Sequence, residues 1–152
     1  MCIRDRSSSA SPATLTWNDS GRYRDDWVHL CADDELCVFL RGIDQLELPI
    51  AHAEGKFVAL DSGQLKQLAD KKQLAIRYCK PDGPNGSVPF PMNPNGSQSD
   101  VAGICDPTGR VFGLMPHPER NIDRTHHPNW TRGEGDGGAG LAIFKNAVEY
   151  FG

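Results

Sequence analysis

The chain has 152 residues, of which 38% are hydrophobic and 24% charged. That balance fits one folded domain with a real core and excludes a disordered chain. The net charge of −4, with no basic run or stripe, argues against a nucleic-acid partner, and the apolar stretches are far too short to cross a bilayer.

The head, "MCIRDRSSSASP", has no apolar core of a signal peptide and no strand or helix period. Residues 1–12 are therefore read as a non-native or disordered head, and residues 13–152 as the folded part. "NDSGRY", Asn18 to Tyr23, has turn chemistry: its Asn, Asp, Ser and Gly can satisfy local backbone groups or present donors to a small polar ligand. Short strand-like runs follow at Trp27 to Cys31, Leu36 to Leu40, Ile50 to Leu60 with a glycine break, and Leu74 to Cys79. Alternation in the first puts Trp27, His29 and Cys31 on one face.

"DSGQLKQLADKKQ" reads as a helix. Asp61 or Ser62 can cap it, Leu65 and Leu68 line one face, and Lys71 and Lys72 suit its C-terminal end. The next 21 residues, "KPDGPNGSVPFPMNPNGSQSD", hold five prolines and three glycines and must be loop. Within it "NPNGS", Asn93 to Ser97, marks a tight turn or offers amides to a ligand or partner. "DVAGIC" and "RVFGLM" form a hairpin across Asp106-Pro107-Thr108-Gly109. A Gly/His-rich loop leads to "GLAIFKNAVEYF", where Leu141, Phe144, Val148 and Phe151 recur at helical spacing and are expected to pack on a sheet.

Five cysteines occur, Cys2, Cys31, Cys37, Cys79 and Cys105, with none at C-x-x-C spacing. An odd count of this kind suits a reducing compartment and buried thiols at Cys31, Cys37, Cys79 and Cys105.

The sharpest chemical signal is "GLMPHPER". His117 and Glu119 stand two apart, each preceded by proline, at the end of an apolar run. A carboxylate that takes one imidazole nitrogen fixes the tautomer and leaves the other nitrogen as a base. The prolines stiffen the segment and remove two backbone donors. A second such pair, His52 and Glu54, follows the same alternation. Together with His126-His127 these pairs raise the question of a metal, but the spacings match no metal signature and no metal is expected. His126-His127 before Pro128 reads as solvated loop.

Four stretches in order, "NDSGRYRDDWV", "PIAHAEGKFV", "NPNGSQSDVAGICDPTGRVFGLMPHPER" and "IFKNAVEYF", resemble the C-terminal part of the glutaminase component of phosphoribosylformylglycinamidine synthases, class I triad glutamine amidotransferases. The resemblance runs from about Ala13 to the end. It implies a flavodoxin-like α/β fold, with His117 facing a thiol at the carboxyl edge of a parallel sheet. It implies cysteine attack on glutamine, with ammonia passed to a synthetase subunit or domain that uses ATP and Mg to amidinate formylglycinamide ribonucleotide in the cytoplasm. No cofactor is implied in this domain. In the matching motif His117 would be the general base and acid and Glu119 its orienting carboxylate. Asn18, Ser20, Arg22 and Tyr23 fall where class I members hold the amino-acid end of glutamine. His52 and Glu54 match a segment usually written with glycine in place of Ala53 and receive no chemical role.

One departure is large. The family's nucleophile lies in a G-x-C-x-G-like elbow upstream of the "NDSGR" motif, and nothing here matches it. The expectation is a fragment lacking the N-terminal part of the domain and its nucleophile, inactive as a glutaminase by itself. Two other readings stand beside it: a class I amidotransferase with another acceptor, and a non-catalytic α/β interaction module.

Overall fold

The computed structural model describes residues 11–33, 35–83, 86–134 and 137–152. The expected head and Cys2 thus lie outside the described residues, save Ser11 and Pro12, whose carbonyl accepts the Leu60 N–H. Among the described residues a five-stranded sheet is built around β2 (Arg24–Ala32). Its order is β3 (Gln45–His52), β2, β5 (Ile76–Tyr78), β6 (Val101–Cys105), β7 (Phe112–Leu114). A separate two-stranded ribbon pairs β1 (Ala13–Thr16) with β4 (Lys56–Ala59). Two helices, α1 (Ser62–Asp70) and α2 (Gly140–Phe151), complete the mixed α/β architecture.

Every pairing among these strands is antiparallel, so the parallel edge expected around His117 is not present among the described residues. At β6 and β7 the link itself requires it, because a tight hairpin can join only antiparallel neighbours. Alternation does the rest. Val28 and Leu30 of β2 and Leu46, Leu48 and Ile50 of β3 point to one face and form the main core with Ile76, Tyr78, Ala102 and Ile143. Phe57, Ala59, Leu68, Leu74 and Val101 form a second cluster under α1.

Three local expectations change. The run Leu36 to Leu40 is not a strand: Val38–Leu40 form a 3-10 turn, with Leu40 N–H on the Cys37 carbonyl and Val38 N–H on that of Gly109. Gly109, at φ +70°, lies so close to the Leu36 carbonyl that a Cβ would collide with it. The run expected from Ile50 breaks after His52, while β3 extends back to Gln45. Pro49 is tolerated there because β3 is an edge strand. The third change concerns α2. Its apolar stripe exists, but Leu141, Phe144, Val148 and Phe151 are exposed. The helix instead lays Gly140, Ile143 and Ala147 inward, and Asn146 Nδ2 donates to the Phe39 and Arg41 carbonyls at 2.9 Å each. Small residues won that face because they allow close approach: a Cβ on Gly140 would strike the Pro118 carbonyl.

Helix α1 follows its sequence signals. Asp61 caps it by accepting the Gln64 N–H at 2.8 Å, and Leu68 is buried with Leu65 partly so.

Candidate active site

The ladder of β6 and β7 runs one residue past Leu114, where Met115 N–H meets the Ala102 carbonyl. Pro116, fully buried, ends it. The chain then lies along the free edge of β3. His117 N–H donates to the Pro49 carbonyl at 2.8 Å, and Asn121 Nδ2 donates to the Glu47 carbonyl at 2.9 Å. Between them Pro118–Arg120 make a 3-10 turn. The prolines thus leave His117 and Glu119 on a short, stiff segment pinned at both ends.

On that segment His117 Nδ1 and Glu119 Oε1 are 2.7 Å apart. The carboxylate accepts, so Nδ1 carries the hydrogen and Nε2 keeps its lone pair. Both side chains are partly exposed, at 31% and 55%, and they open onto a cleft of about 310 Å³ against Phe39, Phe112 and α2's Phe144. An oriented imidazole with one free nitrogen at an open cleft can take a proton and return it.

The second His-x-Glu pair takes another form. His52 is buried and Glu54 exposed, because β3 ends at His52 and the chain bends away. His52 Nδ1 meets Asn18 Oδ1 at 3.1 Å instead. Asn18, itself buried, donates from Nδ2 to the Arg22 and His52 carbonyls at 2.9 Å each, and its Oδ1 accepts the Gly55 N–H at 3.2 Å. Burial, with a smaller contribution from nearby His117, holds the His52 imidazole below its ordinary value. Asn18, His52 and His117 are thereby gathered at one end of β3.

Ser20, Arg22 and Tyr23 are exposed. Among the described residues no hydrogen bond, ion pair or ring contact joins them to His117 or Glu119. Ser20 faces a separate hollow of about 200 Å³ with Phe90, Asn93 and Asn95. The "NPNGS" residues are buried and satisfied internally. Asn95 Nδ2 donates to the Gly55 carbonyl at 2.7 Å and the Tyr78 hydroxyl at 3.0 Å. Ser97 Oγ accepts the Phe57 N–H at 2.9 Å, and Asn93 Nδ2 reaches Asp100 Oδ1 at 2.8 Å. This knot fastens the long loop to β4 and β5 and explains why polar residues stand in its interior.

Two expectations about ligating residues are corrected. His127 is not solvated loop: it is buried, with its ring 4.7 Å from that of Trp27 and Nε2 3.2 Å from Glu47 Oε2. Its Nδ1 accepts the Asn129 N–H at 3.2 Å, so Nε2 carries the hydrogen toward Glu47, the wrong tautomer for binding a metal there. No trio of His, Cys, Asp or Glu among the described residues is arranged to hold a metal.

Nor are all four cysteines thiols. Cys31 and Cys79 form a disulfide, their Cα atoms 5.9 Å apart across the β2–β5 ladder. The pairing spans 48 residues; Cys31 is opposite Arg77 in the register, and Cys79 lies just past the end of β5. Cys37 and Cys105 are buried and free. Burial raises both, Cys105 to about 12 with Cys37 adding to it, so each stays protonated and unreactive. None of the four lines the His117 cleft.

The chain is a mixed α/β domain that presents a glutamate-oriented histidine at a sheet edge, and comparison with known proteins defines the family. The chain belongs to the family of the CobB/CobQ-like glutamine amidotransferase domain, whose model matches residues 3–151. Within it the chain is similar to the phosphoribosylformylglycinamidine synthase subunit PurQ of Methanococcus maripaludis, 42% identical over 150 residues that cover 91% of this chain and 55% of that protein. The PurQ subunit of Dehalococcoides mccartyi is 43% identical over 139 residues, 90% of this chain and 52% of that one. The solved structure of PurLQS from Thermotoga maritima superposes with a TM-score of 0.66 at 27% identity, over 92% of this chain and 53% of that one. The chain therefore spans about half the length of the relatives it matches.

Proposed function

We propose that this chain contributes the acid–base half of a glutamine-hydrolysing site in the glutaminase component of a phosphoribosylformylglycinamidine synthase. The observation that carries this is the 2.7 Å contact between His117 Nδ1 and Glu119 on a proline-stiffened turn at an open cleft. In this reading His117 Nε2 takes the proton of a cysteine thiol, and the thiolate attacks the side-chain amide carbon of glutamine. The imidazolium returns its proton to the leaving nitrogen, ammonia departs and a thioester remains. Water, deprotonated by the same nitrogen, then releases glutamate. Glu119 holds the imidazole and offsets its positive charge. The thiol lies outside the described residues, since no described cysteine reaches the cleft.

Asn18, buried with its amide fully used inside the fold, is a positioning residue beneath the turn, and Ser20, Arg22 and Tyr23 meet the amino-acid end of the substrate. The ammonia passes to a synthetase partner that uses ATP and Mg, in the cytoplasm, and this domain needs no cofactor of its own. Among the described residues no helix is long and apolar enough to cross a membrane.

The test is made in the full-length protein with its synthetase. His117→Ala abolishes glutamine-dependent synthesis and spares synthesis driven by added ammonia; loss of both overturns the reading. The 152-residue chain alone releases no glutamate from glutamine, and turnover that depends on His117 would refute the placement of the thiol.

A further inference from the structure

His52 has no part in the proton transfers assigned to His117, yet its ring is buried near the site and fixed from one side by Asn18. The orientation of the Asn18 amide is settled by its partners: Nδ2 faces two carbonyls and Oδ1 faces the Gly55 N–H. An acceptor therefore meets His52 Nδ1, which must carry the hydrogen. Gly55 secures the ring, because a Cβ there would run into the imidazole. His52 Nε2 is left as a bare acceptor, closed off from solvent and without a partner among the described residues. A buried acceptor in that state is costly.

The residue directly opposite His52 in the β2–β3 register is Arg24. Arg24 is in phase with Val28 and Leu30, as His52 is with Leu48 and Ile50, so both side chains leave the same face. Paired residues have Cβ atoms about 5 Å apart. Arg24 Nε is a donor, also closed off and also without a partner among the described residues. Its other contacts are known: Nη2 donates to Asp26 Oδ2 at 3.1 Å, and the guanidinium lies 5.0 Å from the centre of the Phe90 ring in the proline-rich loop. An orphaned donor and an orphaned acceptor thus belong to directly paired residues on one face of the sheet, and solvent reaches neither.

We propose that His52 is a positioning residue whose Nε2 accepts a hydrogen bond from Arg24 Nε–H, joining the Asn18–Tyr23 turn through the Arg24 guanidinium to Phe90 of the proline-rich loop. The linkage runs Phe90, Arg24, His52, Asn18, and its free end is the turn. Its effect on substrate binding rests on the assignment of that turn to the amino-acid end of glutamine; the bond itself does not. Neutrality of His52 is part of the device, since protonation would remove the acceptor.

Two kinds of measurement test it. Histidine-nitrogen NMR on the full chain shows His52 protonated at Nδ1, with a hydrogen-bonded Nε2 resonance that Arg24→Met releases while Nδ1 stays in place. A proton on Nε2, or an Nε2 signal indifferent to Arg24→Met, overturns the proposal, and the tautomer is read on the unsubstituted chain whether or not a variant folds. His52→Asn keeps an amide donor for Asn18 and deletes Nε2. It and Arg24→Met each lower the urea midpoint, and the double variant falls no further than the worse single one; additive losses are the contrary result. In the full-length glutaminase, His52→Asn raises KM for glutamine about tenfold with kcat within about twofold. A fall in kcat at unchanged KM sinks the positioning role. A parent protein with no glutaminase activity at all would remove the proposed glutaminase function while leaving the NMR and urea results to stand.

Discussion

His52 and His117 each precede a glutamate by two residues, and each sits at the end of a strand. One becomes a sealed structural group and the other an open acid–base pair. The difference lies in the residue between histidine and glutamate. Ala53 lets the chain bend, so Glu54 swings into solvent and Asn18 takes the imidazole. Pro118 forces a 3-10 turn, so Glu119 comes back onto its own histidine. The two end residues of the motif are the same; the backbone between them decides whether the carboxylate can reach.

The contrast is broken most sharply by activity. His117→Ala in the full-length protein is expected to lower glutamine turnover by about 10⁴-fold, measured as initial rate of glutamate release, while Glu54→Gln leaves it unchanged. Glu119→Gln keeps the shape but offers no charge to the imidazolium, and about 10²-fold is the expected loss. A Glu54 variant as damaging as the Glu119 one would erase the distinction between the two pairs. Stability inverts the ranking. His52→Ala removes one of the two donors to Asn18 Oδ1 and opens a hole, costing about 1–3 kcal/mol in urea unfolding. His117→Ala, on a partly exposed ring, costs about 0.5 kcal/mol or less.

A further effect is a pH slope. Folding holds His52 below its ordinary value, chiefly by burial. Above about pH 6.5 both folded and unfolded forms are neutral and the residue adds no pH dependence. As pH falls below that, the unfolded chain takes the proton first, so stability declines until the folded ring is protonated too. The slope from this one group is at most about 1.4 kcal/mol per pH unit, and His52→Gln removes it. An unchanged slope in that variant would place the titrating group elsewhere.

Local signals were readable where local physics governs. The Asp61 cap, the hairpin turn at Asp106 to Gly109 and the proline-flanked His117-Glu119 pair each depend on a few neighbouring residues, and each forms as read. Residues whose fate depends on distant partners were not readable. His127 is buried because Glu47 and Trp27, far away in sequence, reach it. Cys31 finds Cys79, 48 residues away, only because β2 and β5 lie side by side. The inward face of α2 was misassigned because helical spacing reports where apolar residues lie, not which face a neighbour can approach. Gly140 and Ala147 gave the closer fit, and the larger side chains were left outside.

The asparagine knot in the long loop also sets how the chain ages. An Asn-Gly pair is chemically fragile, because the glycine nitrogen can attack the preceding side-chain amide and convert it to a succinimide. At Asn95-Gly96 that nitrogen is tethered to Asn93 Oδ1 at 3.0 Å, and the Asn95 amide is fully enclosed. Folding is therefore a preservative for this bond. Deamidation at Asn95 accumulates in proportion to the time the loop spends undone, so the mass of the peptide around it keeps a record of past unfolding.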